Sequence, residues 1–335
     1  MVFTQYISDI MKRFLTILFA AAALTAAAAR VPLCDNCGKP CKRMVMTFGD
    51  KNYCSKNCFQ VANVCFGCGR PIQKSGTFKV SLMGETMLFC PECAERPSCF
   101  VCCYQDNLSI LPDGRFICSV CLEEAVTDPE EAAELLDFVR RMLLEYFGLP
   151  YDHEIPVVFT DLREGGLDSE TGAMRLAAHN FNYSIRTTVD ADGKITASVP
   201  ETHCTISVLT YSPRELLLDS MAHEMAHDFL RHKCGFIDDL RLEEGFAETV
   251  AACCDEIRGN AAMNIRREKN TDPIYGDGYR MMRTYVTENG WVQAVELMRA
   301  NSKSMEEKIR ETPIEQLLNP KALQDLRRRG VTPHF

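Results

Sequence analysis

Fourteen of the eighteen cysteines in this chain fall between residues 34 and 121, and twelve of them form a regular series of close pairs. Cys34-x2-Cys37 is answered by Cys54-x3-Cys58, Cys65-x2-Cys68 by Cys90-x2-Cys93, and Cys99-x2-Cys102 by Cys118-x2-Cys121. Two thiols on one tight turn, a short hairpin, and two thiols on the next turn make the spacing of a four-thiolate structural zinc site. The stretches between the pairs alternate apolar and polar residues around glycine-containing turns, as short hairpins do. Segments of this size bury too little apolar surface to stand alone, so metal supplies the folding energy. The sequence predicts three closed, tetrahedral, non-catalytic zinc sites in modules at 34–58, 65–93 and 99–121, within a region running from 30 to 123. Cys41 and Cys103 are left over. Disulfides are the rival in an oxidising compartment, but repeated C-x2-C pairs suit a shared ion better than adjacent bridges.

Charge narrows what this region does. The whole chain carries a net charge of -9, which speaks against a general polyanion binder, since phosphate binding needs a basic footprint. Between 34 and 121 there are ten Lys and Arg against seven Asp and Glu. Each four-cysteine zinc site adds about -2 once its thiols ionise, so the balance turns mildly negative. The modules are expected to bind a protein partner or to brace the next domain, not nucleic acid.

Residues 11–29, "MKRFLTILFAAAALTAAAA", join a short basic start to an apolar run that ends in small residues with Ala-x-Ala cleavage sites. This reads as a signal peptide over 1–29, with Met11 as a candidate start. Export to a periplasm or the cell exterior follows. The apolar run is short for a membrane span of about 20 residues, so a membrane anchor is the lesser reading.

The second informative stretch is "MAHEMAHDFLRHKCGFIDDLRLEEGFAE" at 221–248. A helix is predicted from Ser212-Pro213-Arg214-Glu215, a capping box with proline at the first helical position. Leu216, Leu217, Met221, Met225 and Phe229 form its apolar face, and Gly235 is a candidate for its close. On such a helix His223 and His227 project one turn apart and meet a single zinc, with Glu224 beside them as general base toward water. A third ligand comes from "LEEGFAE": Glu244 is the expected ligand, Glu243 the runner-up, and Glu248 an acceptor orienting one histidine. His232 reads as a solvated helix-end residue, while His153, His179, His203 and His334 have no spacing partner. Cys204, Cys234, Cys253 and Cys254 read as small buried residues.

Elsewhere, a helix is expected over 128–147, strands at "IPVVFTDL", at 183–199 with a turn at Asp192-Gly193, and at 204–211. They would form a small sheet packed on the motif helix. From about 244 the pattern is mainly helical to a basic final helix at 313–330, with "NTDPIYGDGYR" at 270–280 as a loop.

The run "ISVLTYSPRELLLDSMAHEMAHDFLRHKCGF" with "LEEGFAE", then "DPIYGDGYRMMRTYVTENGWVQAVELMRA", resembles the peptidase domain of the plant organ-size regulators, the ubiquitin-activated LIM-domain peptidases. The order of cysteine modules, His-Glu-x-x-His helix, Glu-Glu-Gly and Tyr-Gly-Asp-Gly is shared across roughly 130 to 305. The resemblance implies a bacterial-like exported homologue: an α+β, zincin-like metallopeptidase domain at 128–335 preceded by tandem LIM-like or zinc-ribbon modules. It implies a gluzincin-type zinc endopeptidase with His223, His227 and Glu244 as ligands and Glu224 as base. Tyr275 resembles the gluzincin tyrosine that hydrogen-bonds the oxyanion, with Tyr279 as the alternative. In "GAMRL" at 172–176, Arg175 stands where aminopeptidases carry an amine-gripping carboxylate, which favours an endopeptidase. Two features depart from the family. The modules lack the histidine and the two-residue spacer of a LIM domain, and no ubiquitin-binding helix precedes them, so ubiquitin control is not carried over.

Three expectations follow. The first is a zinc endopeptidase acting on a protein or peptide substrate, with one catalytic and about three structural zinc ions. The second is a protein-binding scaffold with a vestigial peptidase domain, against which the intact Glu224 argues. The third is the same site hydrolysing a bond other than a peptide.

Overall fold

The computed structural model describes residues 32–41, 46–48, 51–72, 75–167, 174–189, 195–260 and 263–311, together with 324, 327 and 328. The leader at 1–29, the turn at Asp192-Gly193 and nearly all of the helix expected at 313–330 lie outside them. The described residues fall into two units, those within Met1–Phe78 and Met87–Glu95 and those within Lys79–Thr86 and Arg96–Phe335.

The first unit holds the first cysteine module and all four cysteines of the second, whose Lys79–Thr86 segment belongs to the other unit. Strand β1 (Met46–Phe48) pairs antiparallel with β2 (Lys51–Tyr53), and helix α1 (Lys56–Ala62) follows. The Ser55 side chain starts α1 by accepting the Cys58 N–H at 3.1 Å. The module's core is minimal: Tyr53 meets Phe59 edge-on at 5.4 Å, beside buried Cys34 and Cys41. Cys41 is thus a packing residue of this small core. In the second module, β3 (Thr77–Val80) and β4 (Thr86–Phe89) form a two-stranded sheet, and α2 (Pro91–Ala94) carries Cys93.

The second unit includes the third module: β5 (Leu108–Ile110), β6 (Phe116–Cys118) and α3 (Ser119–Glu123). Strand β7 (Ala125–Val126) leads into helix α4 (Pro129–Phe147), which Asp128 caps by accepting the Glu130 N–H. A three-stranded sheet follows in the order β8 (Val157–Thr160), β10 (Ile195–Leu209), β9 (Ala177–Val189). Strand β8 runs parallel to β10 and β9 antiparallel to it. After β11 (Ser212–Pro213) come α5 (Arg214–Phe229), a π-helical turn (Leu230–Cys234) and β12 (Phe236–Ile237). Then follow α6 (Leu240–Ile257), α7 (Asn264–Lys269), α8 (Tyr275–Ala300), β13 (Ser302–Lys303) and α9 (Met305–Glu311). Helix α5 lies at the centre of the core. Its Leu217, Met221, Met225 and Phe229 pack in one cluster with Ile206 and Val208 of β10, Val139 and Leu143 of α4, and Phe246 and Val250 of α6.

Several expectations are corrected. By its contacts the third module belongs to the unit that carries the long helices. A buried ion pair shows why: Arg115 and Asp113 are 2.7 Å apart and both nearly inaccessible. Arg115 also donates to the Thr210 carbonyl at 2.8 Å, and Asp113 accepts the Leu162 N–H. Leu111 and Ile117 of the module join Leu216 and Met263 in one apolar cluster. The capping box is absent: Ser212 and Pro213 are drawn into a strand pair with β7, and the buried Ser212 hydroxyl has no hydrogen-bond partner. The strand expected at 204–211 is the end of the fifteen-residue β10. The loop at 270–280 ends early, because the Asp272 carboxylate accepts the N–H groups of Ile274 and Tyr275 and starts α8 there.

Candidate functional site

The first pair of each cysteine module sits on the same turn. Gly38, Gly69 and Cys103 each donate their N–H to the carbonyl of the module's first cysteine, at 2.8, 2.9 and 2.9 Å. All three have left-handed backbones, with φ of 70°, 68° and 60°. Glycine takes this conformation freely, so Cys103 is the one non-glycine occupant of the position. The sulfurs then converge: Cys37 and Cys54 are 3.5 Å apart, Cys54 and Cys58 3.6 Å, Cys102 and Cys118 3.6 Å. Four sulfurs around a tetrahedral zinc at about 2.3 Å lie about 3.8 Å apart, whereas a disulfide closes to about 2.05 Å. Main-chain N–H groups point at these sulfurs, Cys90 at Cys65 and Cys121 at Cys118.

The thiols also split in acidity. Cys99 falls to about 4, chiefly through the hydrogen bond from Cys121, with main-chain donors helping against burial. Burial and the Cys99 charge drive Cys102 up to about 12. Sulfurs this close cannot all be charged without a cation, and a divalent ion removes the conflict.

The second unit builds a different kind of site. His223 and His227 leave α5 one turn apart, and Glu244 reaches them from α6. The two Nε2 atoms are 3.1 Å apart, and Glu244 Oε2 is 3.2 Å from one and 3.5 Å from the other. Donors at about 2.1 Å from a tetrahedral ion lie about 3.4 Å apart, so the triangle has the size that one zinc requires. Glu244 Oε2 is buried without a hydrogen-bond partner, as expected of an atom reserved for a cation. Burial opposes charge on Glu244, yet the two imidazoles outweigh it and hold the carboxyl far below its ordinary range. Burial likewise opposes charge on His227, while Glu243, Glu244 and Glu224 lift it to about 10.

Carboxylates also lie behind the two imidazoles. Glu243 lies 3.2 Å from His227 Nδ1 and accepts from Arg231 at 2.8 Å, so it sits behind the histidine and not at the donor triangle. Glu248 lies 3.8 Å from His223 Nδ1. Arg267 of α7, nearly inaccessible, binds Glu248, Asp219 and Asp255 together. The Glu243 contact is of the kind that fixes the tautomer and direction of a ligating imidazole.

Glu224 faces the same cleft, of about 690 Å³, and its Oε2 accepts the main-chain N–H of His179 at 2.7 Å. The cleft is walled on one side by β9, through Ala177, Ala178, His179 and Phe181. Tyr275 lines it from the first position of α8 and is 43% exposed. Burial, followed by the charges of Glu244, Glu248 and Glu224, pushes its phenol up to about 12. Tyr279 is buried and is not among the residues lining the cleft.

Five groups of side chains among the described residues bring ligand atoms within 4.8 Å of one another: the three four-cysteine sets, His223 with His227 and Glu244, and His153 with Cys204, Asp228 and His232. The last was not foreseen. His232 is no solvated helix end, His153 and His179 both reach Asp228, and the Cys204 sulfur lies near His153, Asp228 and His232. Asp228, Arg231, Arg267 and His179 carried no motif signal, since their partners lie on other elements. Cys253 and Cys254 are buried, as expected.

No family model matches this chain, and comparison with curated proteins and with solved structures likewise gives no match. The fold is a mixture of helices and strands with clustered cysteine groups, and its chemistry rests on the side chains themselves.

Proposed function

We propose that the second unit is a zinc-dependent hydrolase and, within that class, an endopeptidase acting on an extended protein segment. The observation that carries the reading is the 3.1–3.5 Å triangle of His223, His227 and Glu244 beside the tethered carboxylate of Glu224. Zinc held by those three residues supplies Lewis acidity toward a carbonyl and a water at the site.

The chain's own residues do the rest. Glu224, fixed by the His179 N–H, takes the proton from the attacking water and delivers it to the departing amine. Tyr275 keeps its proton at neutral pH and donates it as a hydrogen bond to the oxyanion, a contribution of about 3 kcal/mol for a well-placed donor. Strand β9 pairs with β10 on one side, and its cleft-lining residues suit a substrate that adds as a further strand. Arg175 lines the cleft where a carboxylate would be needed to grip a free amine, which supports internal cleavage.

The four-cysteine modules in this reading recruit a protein partner or cover the substrate. Export belongs to it through residues 11–29; among the described residues no helix is long and apolar enough to cross a membrane. The test is incubation of the zinc-loaded protein with a mixed peptide library read by mass spectrometry. Internal cuts that chelator abolishes and zinc restores support the reading. Absence of cleavage, or release of single N-terminal residues only, refutes it.

A further inference from the structure

The unforeseen cluster begins one residue past His227. Asp228 belongs to α5, His232 to the π turn that follows, Cys204 to β10, and His153 to the segment between α4 and β8. These elements meet only through tertiary folding, and they bring one sulfur, two imidazoles and one carboxylate within 4.8 Å of one another. Asp228 is wholly inaccessible, while His153 and His232 are each 23% exposed at the side chain, which leaves an entry path for an ion.

Hydrogen bonding alone leaves this cluster unfinished. His153 Nε2 and Asp228 Oδ2 are 2.9 Å apart, yet both are buried and neither has an aligned hydrogen-bond partner. Two atoms that approach without pointing at each other are the geometry of two ligands sharing a third atom. The His153 and His232 rings stack at 3.9 Å between centroids with 30° between planes, so both imidazoles are gathered at one carboxylate. Supporting contacts complete the pattern. Asp152 lies 3.5 Å from His153 Nδ1 and is itself held by Lys233 at 2.6 Å. His232 Nδ1 is 3.1 Å from the Asp228 carbonyl. Carboxylates and main-chain carbonyls in these places fix the direction of ligating imidazoles.

We infer that His153, Cys204, Asp228 and His232 hold a further zinc ion in the second unit. Four protein donors close a tetrahedral shell with no open position, which makes the ion structural; one thiolate, two imidazoles and one carboxylate select zinc over the hard oxygen-seeking cations. The ion ties the segment before β8, strand β10, helix α5 and the π turn at one point. Its effect extends to the cleft, because the other oxygen of Asp228 holds His179 at 3.1 Å and the His179 N–H holds Glu224. Asp228 and His179 are therefore positioning residues for the base. The ion itself is independent of whether the cleft cuts peptides.

The test uses the full chain loaded with zinc and measures metal per chain by elemental mass spectrometry, wild type against His153→Ala. His153 is partly exposed and lies outside the helices, so its loss spares the core. The expected result is one zinc fewer per chain in the variant; equal zinc content overturns the assignment. Cadmium NMR of the cadmium-substituted wild type needs no variant at all. A resonance of the mixed thiolate–imidazole class, apart from the four-thiolate signals and the imidazole–carboxylate signal, is expected. Its absence from a cadmium-saturated chain overturns the proposal.

Discussion

A Cβ added to Gly245 would lie 2.5 Å from the carbonyl oxygen of Gly278, so α6 and α8 cross backbone against backbone at this pair. Glu244 precedes the crossing on one helix and Tyr275 opens the other, so the close approach brings both to the cleft. Gly245→Ala forces the helices apart. Overpacking of this kind costs about 1–3 kcal/mol, and it moves Glu244 from the histidines. Thermal unfolding with and without added zinc checks this: both the melting temperature and the shift produced by zinc should fall, and an unchanged zinc shift would contradict the role of the crossing.

Arg267 is the hub of the acidic network behind the site. Its loss in Arg267→Met leaves Asp219 with only the longer contact to Arg266 and Asp255 with Arg258 alone, and frees Glu248 from its tether. Breaking a buried pair from one side costs about 3–5 kcal/mol. Urea unfolding should show a destabilisation of that order, with weaker zinc binding at the cleft. A change within experimental error would show that the carboxylates find other partners.

The pair that fastens the third module within the second unit carries a pH signature. Burial opposes charge on Asp113, but the Arg115 N–H, the Arg115 guanidinium and the Leu162 N–H outweigh it and hold the carboxyl below its usual value. A depressed carboxylate contributes stability that is fully present above the unfolded value of about 3.9 and is lost as pH falls through the folded value. Wild-type stability should therefore decline between about pH 5 and pH 3 more steeply than that of Asp113→Asn. Parallel slopes in denaturant titrations across this window would remove Asp113 from the account.

Tyr275→Phe removes one hydroxyl at the cleft rim and no metal ligand. Turnover should fall by about a hundredfold while zinc content and KM stay close to wild type. An unchanged kcat would assign the tyrosine to packing.

How much of this was legible in the sequence depends on the range of the contact. His223, Glu224 and His227 lie within one helical turn, and the cysteine pairs repeat one local turn, so spacing alone placed them. Glu244 was readable because its helix follows closely and carries a second acidic pair. Glu243 could not be set aside from sequence, since only the fold puts Arg231 on the side of His227 where Glu243 sits. Asp228, His179, His153 and Cys204 were opaque for the same reason. Asp228 is the neighbour of a motif residue, yet its partners come from β9, β10 and the segment before β8. Ser212 misled because a good local cap lost to strand pairing with β7, and Tyr-Gly-Asp-Gly read as a loop because its glycines serve helix contact instead of a turn.

The central claim is that Glu224 is the proton-transferring base beside a zinc held by His223, His227 and Glu244. Its most direct test is Glu224→Gln, assayed for zinc content and for cleavage of an unfolded protein substrate in one preparation. The account predicts full zinc occupancy with turnover reduced by at least about a thousandfold. Cleavage at wild-type rate by a zinc-replete Glu224→Gln protein would contradict it.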